Sequence, residues 1–164
     1  MLTTTIPSPL GEVVLTGSDD GLCGLYLGPG APAKATGLRR DDHAFTHAAA
    51  ELAAWFAGTS TRLDIPVELR GTPFQLSVWA LLQQIPYGTT TTYGALATEL
   101  GKPGASRAVG AANGRNAVGI VVPCHRVVAS DGTVHGFAGG VPAKRWLLAH
   151  EQSHEQARTG SALF

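Results

Sequence analysis

The hydrophobic pattern of the N-terminal part of the chain combines two periods. Short apolar runs at 13–15 and 22–27 flank an Asp-Asp-Gly turn and are typical of two β-strands. From 44 to 56, large apolar residues instead recur at helical spacing, and Gly58 follows as a stop signal. The pattern predicts an α/β N-terminal domain over residues 1–70, made of a small antiparallel sheet plus a helix.

After this domain the pattern becomes helical. The segment from Thr72 to Gln75 places a threonine, a proline and a glutamine at the spacing of a capping box, so a helix begins there. Two more helices are predicted at 93–100 and 107–113, with Ser106 as the cap of the second and a Gly-Lys-Pro-Gly turn between them. Two helices joined by a short turn that contains glycine are typical of the helix-turn-helix motif.

The last predicted elements are a loop and a helix. A glycine-rich segment at 136–140 precedes a helix that begins at Pro142 and runs to about residue 151. We therefore predict a mostly α C-terminal domain over residues 71–152, which carries the helix-turn-helix and a cysteine-containing loop. A polar, peripheral tail is predicted over residues 153–164.

The second helix of the predicted helix-turn-helix consists mainly of small residues. Besides Arg107, one face carries only Ala108, Gly110, Ala111 and Ala112. Small side chains let a helix backbone approach another surface closely. From the pattern alone, that surface can be a neighbouring helix or the groove of a nucleic acid.

The composition is that of an ordinary globular protein. The chain has 164 residues, of which 44% are hydrophobic and 15% charged. Two cysteines in this length argue against a disulfide framework and indicate a reducing compartment. The N-terminus lacks the features of a secretory signal, and no apolar run approaches the roughly 20 residues of a membrane span. We expect a soluble, cytoplasmic protein that has no membrane association.

Charge is distributed unevenly although the formal net charge is zero. Residues 1–70 contain five Lys/Arg and eight Asp/Glu, whereas residues 71–150 contain six Lys/Arg and two Asp/Glu. A polyanion such as a nucleic acid is therefore attracted to the second part of the chain and weakly repelled by the first.

The stretch VVPCHRVVAS, at 121–130, places three polar residues in an apolar run: Cys124, His125 and Arg126. An unpaired polar group costs free energy inside a buried strand, and Pro123 cannot donate to a sheet. We therefore expect a central strand to end at Pro123 and to present a chemical group there.

Four explanations of Cys124 and His125 remain open from the residues alone. Cys124 can be an inert core thiol, with His125 as a hydrogen-bonded polar neighbour. A metal site would require a CxxC motif or a histidine pair at ligand spacing, which the sequence lacks. A cysteine hydrolase would use the two residues as nucleophile and base, although such residues normally lie far apart in sequence. The fourth explanation is a thiolate that attacks carbon and keeps the group that it takes.

The segment IVVPCHRVV, at 120–128, is similar to the active-site signature of the O6-alkylguanine-DNA alkyltransferases, also called methylated-DNA–protein-cysteine methyltransferases. Further segments resemble this family in the same order and spacing, over about residues 71–151: GTPFQLSVWALLQQIPYGTTTTYGALA, GKPGASRAVGAANGRN and KRWLLAHE. The N-terminal domain resembles it more loosely, through IPSPLGEVVLTGSDDGLCGLYL. Several matched segments in one order are much more specific than the word PCHR alone.

The resemblance implies that the loop is an active-site loop in which Cys124 accepts an alkyl group from the O6 atom of guanine. Because the thiolate is the nucleophile, the site must lower the pKa of the thiol or remove its proton on demand. By resemblance, His125 takes that proton through a water, Glu151 orients and charges His125, and Asn116 holds the loop backbone beside the cysteine. The thioether product is not readily cleaved, so each molecule acts once and needs no cofactor.

The resemblance also implies minor-groove binding by the helix-turn-helix and extrusion of the damaged nucleotide. Arg107 matches the residue that fills the gap in the duplex, and Tyr93 matches the residue that rotates the 3′ phosphate and donates a proton to guanine N3. Without the resemblance, a helix-end tyrosine that packs on the core is the favoured explanation of Tyr93. The implied DNA-binding residues are Tyr93, Ser106, Arg107, Ala108, Gly110, Ala111 and Arg126.

Walls of the substrate pocket are implied at Val127, Phe137, Ala138 and Gly139. Some relatives have Tyr-Ser where this chain has Phe137-Ala138. Loss of the phenol and the hydroxyl leaves backbone N–H groups as the donors to guanine O6. Repair should survive this change, while the preferred size of the alkyl group depends on it.

The N-terminal domain departs from relatives that bind a structural zinc. This chain has Ser18 and Cys23 at the corresponding positions and lacks an adequate ligand set, so we predict no zinc or other metal. Cys23 lies in an apolar run and is expected to pack in the core.

The partner implied by the resemblance is double-stranded DNA that contains O6-alkylguanine, with O4-alkylthymine as a further substrate to test. No obligatory protein partner is implied, and cooperative self-association on DNA stays open. In a bacterium the protein would act at the nucleoid. Two other functions are kept as alternatives: a non-catalytic sensor of alkylated DNA, although such relatives lack the cysteine, and a cysteine hydrolase.

Overall fold

The computed structural model of the protein describes the backbone of residues 1–162 and the side chains of residues 1–158. The chain divides into two compact regions. The N-terminal region comprises residues 1–71 together with 117–121, and the C-terminal region comprises 72–116 and the residues from 122 onward. The segment 117–121 belongs to the first region because its backbone pairs with a strand there, which no local pattern indicates.

The N-terminal region is built on a four-stranded sheet. Its strands are β1 (Leu2–Ile6), β2 (Val13–Ser18), β3 (Gly21–Tyr26) and β4 (Arg39–Arg40), in the order β3-β2-β1-β4. The pairs β1–β2 and β2–β3 are antiparallel, whereas β4 lies parallel to β1. The predicted small sheet with a helix is confirmed, and the sheet is mixed because β4 adds a parallel pair to the predicted antiparallel ones.

Strand β1 is not apparent from the hydrophobic pattern of the sequence. Its three consecutive threonines are β-branched and fit a strand, but they hide the alternation of apolar and polar residues on which strand prediction depends. Thr3 is buried, and its hydroxyl donates a hydrogen bond of 2.8 Å to the carbonyl oxygen of Leu15. The polar side chain is thus accommodated in the sheet by a bond that only the fold provides.

One helix packs in the N-terminal region. Helix α1 (Thr46–Ala57) follows a short 3-10 turn at Asp42–Phe45, and Gly58 ends it in the left-handed conformation, with φ of 80°. Leu52 and Trp55 are fully buried, as their helical spacing predicts.

The C-terminal region contains α2 (Pro73–Leu82), α3 (Tyr93–Glu99), α4 (Ser106–Gly114) and α5 (Val141–Ala162). The predicted capping box is confirmed: Gln75 N–H donates to the Thr72 hydroxyl, and the Gln75 side chain accepts from Thr72 N–H. Ser106 is the first residue of α4 and not its cap, because Ala105 occupies that position. None of the described helices combines the length and the apolar character that a bilayer crossing requires.

Helix α4 packs against both α2 and α3, which gives the helix-turn-helix its shape. Val109 and Ala112 are buried, and the indole N–H of Trp79 in α2 donates a hydrogen bond of 2.8 Å to the carbonyl oxygen of Ala112. Ala108 and Ala111 are exposed on the other side. The small residues of α4 therefore fit both explanations given above. Ala112 packs on a neighbouring helix, whereas Ala108 and Ala111 face outward, where a nucleic acid can approach.

Two expectations about the C-terminal half need correction. The apolar run before Cys124 is not a strand; the only strand pair in the described part of this region is short and parallel, between β5 (Thr91–Thr92) and β6 (Val127–Val128). The expected peripheral tail continues α5 up to Ala162, and Glu155 lies against Gly88, where an added Cβ would come within 2.9 Å of the Glu155 Cβ. Residues 163 and 164 lie outside the described residues.

Candidate active site

Cys124 lies at the start of a 3-10 turn, Cys124–Arg126, that is entered through tight turns. The N–H of Cys124 donates a hydrogen bond of 2.8 Å to the carbonyl oxygen of Val122, which closes a γ-turn around Pro123. A similar bond of 2.8 Å from Val121 to Gly119 encloses Ile120, whose φ of 70° is unusual for a β-branched residue. These turns explain why an apolar run that looks like a strand is not one.

Burial sets the resting state of the thiol. The side chain of Cys124 is buried, with only 5% of the residue exposed, and this desolvation raises the pKa of the thiol. A hydrogen bond with Asn116 and the positive charge of Lys144 oppose that rise without overcoming it. Cys124 is therefore protonated at neutral pH, and of the two routes to a thiolate the structure favours removal of the proton on demand.

His125 is completely buried and has a carboxylate partner. Its Nε2 lies 2.6 Å from Oε2 of Glu151. Burial lowers the pKa of His125, and the neighbouring Glu151 only partly offsets that effect, so the imidazole is neutral at rest. A neutral ring that donates through Nε2–H to a carboxylate has Nδ1 as its basic nitrogen. The arrangement makes His125 a base that can accept one proton.

Glu151 is buried but remains ionised. Burial raises the pKa of Glu151, yet hydrogen bonds from His125 and Arg126 outweigh it and hold the pKa at about 2. The Nε of Arg126 lies 2.8 Å from Oε1 and its Nη2 lies 2.9 Å from Oε2. The backbone N–H of Gly88 donates to the same carboxylate at 3.1 Å. A charge held by these donors can both orient His125 and stabilise its protonated form.

Arg126 does not lie among the residues expected to contact DNA. It is only 8% exposed, and its Nη1 donates a hydrogen bond of 2.6 Å to the carbonyl oxygen of Ile85, in addition to the three hydrogen bonds with Glu151. These buried partners engage the guanidinium and favour a structural role, while DNA binding by Arg126 stays a prediction. The sequence could not reveal this, since Glu151 is 25 residues away.

Two asparagines from the end of α4 and just beyond it hold the backbone around Cys124. Asn116 donates a hydrogen bond of 2.8 Å to the carbonyl oxygen of Val122, which agrees with the loop-holding position expected for it. Asn113 donates through Nδ2 to the carbonyl oxygen of Cys124 at 3.4 Å. Both side chains are buried.

Tyr93 and Lys144 form a second polar pair in the same region. Tyr93 is the first residue of α3 and is partly exposed; burial raises the pKa of its hydroxyl, and Cys124 adds to that rise. The Nζ of Lys144 lies 3.5 Å from the Tyr93 hydroxyl and 2.7 Å from the carbonyl oxygen of His135. Lys144 has no exposed surface, and its charge is felt at Cys124. The position of Tyr93 agrees with a role at the site beyond packing.

Lys144 is absent from the site residues predicted above. Two signals were available. Lys144, Leu147 and Glu151 share one stripe of α5, and all three are buried. A cation in the first turn of a helix is also unfavourable towards the helix dipole, which indicates that another requirement keeps it there.

The exposed surface of the helix-turn-helix carries most of the residues expected to bind DNA. Arg107, Ala108 and Ala111 are exposed, and Ser106 and Gly110 are partly exposed. A Cβ at Gly110 would lie 3.7 Å from the Tyr93 ring, which is an ordinary contact distance. This set therefore forms one outward face, from which Arg126 is absent.

The residues expected to line a pocket fall into two segments. Val127 is fully buried in β6, directly after the 3-10 turn. Phe137 and Gly139 are partly exposed and Ala138 is exposed, in the segment before α5. The Nζ of Lys144 contacts both the carbonyl oxygen of His135, at the start of that segment, and the hydroxyl of Tyr93. These two contacts hold the segment close to Tyr93.

The N-terminal region holds a separate group of polar side chains. The Ser18 hydroxyl and the Cys23 thiol lie 3.3 Å and 3.6 Å from Oε2 of Glu68, and Arg70 pairs with the same carboxylate. Cys23 is partly exposed and faces Glu68, so core packing does not describe its position. Among the residues whose side chains are described, no three His, Cys, Asp or Glu groups meet as a metal site would require.

Comparison with known proteins gives a consistent result for both regions. Residues 73–153 match the family model described as 6-O-methylguanine DNA methyltransferase, DNA binding domain. Residues 1–69 match the model described as 6-O-methylguanine DNA methyltransferase, ribonuclease-like domain.

Individual relatives are similar over almost the whole chain. A methylated-DNA–protein-cysteine methyltransferase of Mycolicibacterium paratuberculosis is 46% identical over 155 residues, covering 93% of each chain. The crystal structure of Mycobacterium tuberculosis O6-methylguanine methyltransferase has a TM-score of 0.87 and 44% identity, covering 93% of each chain. A structure of the Mycobacterium tuberculosis protein in complex with DNA has a TM-score of 0.87 and 43% identity, covering 94% of each chain.

Proposed function

The chain belongs to the 6-O-methylguanine DNA methyltransferase family, and from that premise we propose that Cys124 is the residue that takes the alkyl group from O6-alkylguanine in duplex DNA. The protein is a DNA-repair methyltransferase that acts by direct reversal, through alkyl transfer to a cysteine. One observation supports Cys124 as the acceptor most strongly. Arg126 and His125 both form buried hydrogen bonds with Glu151, and His125 is next to Cys124 in the chain.

The transfer step uses this chain of contacts. His125 accepts the proton of the Cys124 thiol at Nδ1, with a water as carrier, and becomes an imidazolium stabilised by Glu151. The thiolate attacks the alkyl carbon, a C–S bond forms and the bond between that carbon and O6 breaks, with its electron pair passing to the guanine. The product is a thioether, so one protein repairs one base.

Departure of the guanine requires a proton donor. Burial raises the pKa of Tyr93, so its hydroxyl stays protonated at neutral pH and donates to guanine N3. The ammonium group of Lys144, 3.5 Å away, stabilises the negative charge that then develops on the phenol oxygen. Lys144 therefore joins Cys124, His125, Glu151, Asn116 and Tyr93 in the proposed site.

DNA recognition is assigned to the exposed face of the helix-turn-helix. Because the buried Cys124 cannot reach a base inside a duplex, the nucleotide must be flipped out, at a cost of about a few kcal/mol in stacking. Ala108, Gly110 and Ala111 let α4 approach the minor groove, and Arg107 fills the gap left in the stack. In this proposal, residues 71–152 bind DNA and carry out alkyl transfer, whereas residues 1–70 support the fold. The protein acts in the cytoplasm, at the nucleoid in a bacterium.

One assay tests the proposal against both alternatives. The reduced protein is mixed with a duplex that contains O6-methylguanine and is then digested, and the mass of the peptide that contains Cys124 is measured by mass spectrometry. We expect a gain of one methyl group on that peptide and no more than one per protein molecule. Binding without a mass gain would indicate a sensor, and repeated turnover of an ester substrate would indicate a hydrolase.

A second assay tests the flipping role of Arg107. We expect Arg107→Ala to slow methyl transfer from duplex DNA more than it slows the reaction with free O6-benzylguanine, because the free base needs no extrusion. Equal slowing of both reactions would remove Arg107 from that role. Arg115→Ala is the matched control, since Arg115 is also exposed and lies just past the end of α4.

A further inference from the structure

Among the described residues, Ile120 is the only one other than glycine with a positive φ. Its φ is 70°, in a region that strongly disfavours a side chain branched at Cβ. Gly119 beside it could adopt that conformation without steric cost, yet its φ is not positive. Strain of this kind persists only where the surrounding structure enforces it, and it concentrates at functional sites. Ile120 lies four residues before Cys124, close enough to influence the position of the nucleophile.

The strain belongs to the first of the two γ-turns that lead to Cys124. The N–H of Val121 donates a hydrogen bond of 2.8 Å to the carbonyl oxygen of Gly119, and the positive φ of Ile120 makes this the rare, strained form of the turn. The turn around Pro123 differs, because its φ of −80° and ψ of 64° are those of the common, relaxed form. Only the turn at Ile120 therefore stores strain.

Hydrogen bonds hold the chain on both sides of the strained turn. Before it, the N–H of Leu25 in β3 donates to the carbonyl oxygen of Ala117 at 2.8 Å. After it, Asn116 donates to the carbonyl oxygen of Val122, also at 2.8 Å. Ile120 itself is only 2% exposed, so its side chain is packed as well. These constraints explain how an unfavourable backbone conformation is maintained.

A branched residue at positive φ has little conformational freedom. Its side chain leaves a narrow range of φ and ψ there, whereas glycine leaves a wide one. Once Ile120 is forced into that range, the chain can enter the turn of Pro123 and Cys124 in few geometries other than the one observed. Asn116, which binds the carbonyl oxygen of Val122, also forms a hydrogen bond with the Cys124 thiol. A shift of the strained turn would therefore disturb the sulfur.

We propose that Ile120 is a positioning residue for alkyl transfer, whose strained turn fixes the place of the Cys124 sulfur. The strain lowers stability, and it is retained because a nucleophile held in one place reacts faster. The inference rests on the proposed function, since Cys124 must be the alkyl acceptor for its position to matter. Relaxing the turn should make the protein more stable and slower at the same time, which a loss of packing alone does not produce.

Ile120→Ala and Ile120→Gly form the decisive pair, because both lose the buried side chain and only the second also loses the Cβ. Urea unfolding should show Ile120→Gly to be the more stable of the two, by about two- to fivefold in the unfolding equilibrium. Single-turnover transfer from a duplex with O6-methylguanine should nevertheless be about tenfold slower in Ile120→Gly than in Ile120→Ala. Ile120→Val keeps the branched Cβ and should react within about twofold of the native rate.

Two further measurements separate positioning from DNA binding and from folding. With free O6-benzylguanine, Ile120→Gly should lower the maximal rate constant relative to Ile120→Ala and leave the half-saturating concentration within about twofold, since the turn acts on the sulfur and not on the base. In the native protein, the amide hydrogen of Val121 should exchange as slowly as that of Leu25 in the sheet. Rapid exchange at Val121 would overturn the inference even if no variant of Ile120 folds.

The matched control is the same pair of substitutions at Val118, a fully buried residue two positions earlier whose φ is not positive. There Val118→Gly should be less stable than Val118→Ala, which is the usual order. If Ile120→Gly is less stable than Ile120→Ala, or transfers the methyl group at least as fast, the inference is wrong while the proposed function stands. If no methyl group reaches Cys124 of the native protein, the proposed function itself is wrong.

Discussion

The two cysteines of this chain lie in regions that treat a thiol in opposite ways. Cys23 in β3 is partly exposed and faces the Glu68 carboxylate, whereas Cys124 is buried, with Asn116 and Lys144 acting on its thiol and His125 next to it in the chain. Burial raises the pKa of both thiols. At Cys23 the charge of Glu68 adds to that rise, while at Cys124 the hydrogen bond with Asn116 and the charge of Lys144 oppose it.

The difference shows that exposure does not make a cysteine reactive. The more accessible thiol, Cys23, has a carboxylate neighbour that disfavours its thiolate. Among the described residues, no histidine–carboxylate pair like His125 and Glu151 lies beside it. The buried thiol has the base His125 next to it in the chain, the carboxylate of Glu151 that orients this base, and the nearby cation Lys144. Reactivity towards a bound alkyl group therefore follows from the network around the sulfur.

The largest difference between the two cysteines should appear when each is replaced by alanine in a separate variant. Cys124→Ala should abolish methyl transfer and leave affinity for duplex DNA within about twofold, because the DNA-facing residues are untouched. Cys23→Ala should leave the transfer rate unchanged. The readouts are peptide mass and a DNA titration; a methyl group found on the Cys23 peptide would break the comparison.

Next in size is the loss of the orienting carboxylate. Glu151→Gln should slow methyl transfer by about 10²-fold or more, in the range of general-base catalysis, because His125 loses its anchor. It should also lower the free energy of unfolding by about 3–5 kcal/mol, since Arg126 is left buried without its anion. Glu68→Gln, the matched change beside Cys23, should leave both quantities unaffected, because its ion pair is exposed.

The same carboxylate should make stability depend on acid. The pKa of Glu151 is held at about 2, below its value in an unfolded chain, so its contribution is complete above about pH 4.5 and is lost as the pH falls towards 2. His125, whose pKa is lowered by burial, adds a loss of stability that begins as the pH falls below about 6.5, because the unfolded chain binds its proton first. Urea unfolding at several pH values measures both losses, and in Glu151→Gln the loss between pH 4.5 and 2 should be reduced.

A smaller effect is expected from the buried cation. Lys144→Met keeps the length of the side chain and removes the charge that favours the Cys124 thiolate and the Tyr93 phenolate. Methyl transfer should slow by about tenfold, the equivalent of one pKa unit at the thiol. Lys102→Met removes an exposed lysine from the turn between α3 and α4 and should leave the reaction with free O6-benzylguanine unchanged. Equal rates for the two variants with that free base would exclude Lys144 from the site.

The smallest expected effect is that of pH on the rate itself. Methyl transfer to Cys124 should vary by less than about twofold between pH 6.5 and 8.5, because a neutral His125 removes the proton throughout this range. Alkylation of Cys23 by iodoacetamide, measured in the Cys124→Ala variant, should instead rise about tenfold per pH unit, since it depends on free thiolate. Parallel pH profiles at the two cysteines would contradict the proposed role of His125.

Local sequence was sufficient for the elements whose stabilising contacts are close along the chain. The capping box of α2 joins residues three apart, and the amphipathic spacing of α1 buries Leu52 and Trp55 as predicted. The resemblance to the family predicts a site of Cys124, His125 and Glu151, and the last two lie 2.6 Å apart in the structure. Prediction failed at β1 and before Cys124, where a polar strand and an apolar turn reverse the usual patterns.

Only the tertiary structure decided the electrostatic state of the site. Glu151 is ionised, His125 is neutral and Arg126 is withdrawn from the surface because α5 brings a carboxylate to residues that lie 25 and 26 positions earlier. Lys144 and Asn113 gain their significance in the same way, from neighbours on other elements. The order of residues determines which groups the chain possesses, whereas desolvation and hydrogen bonding act through space and are set by how the segments pack.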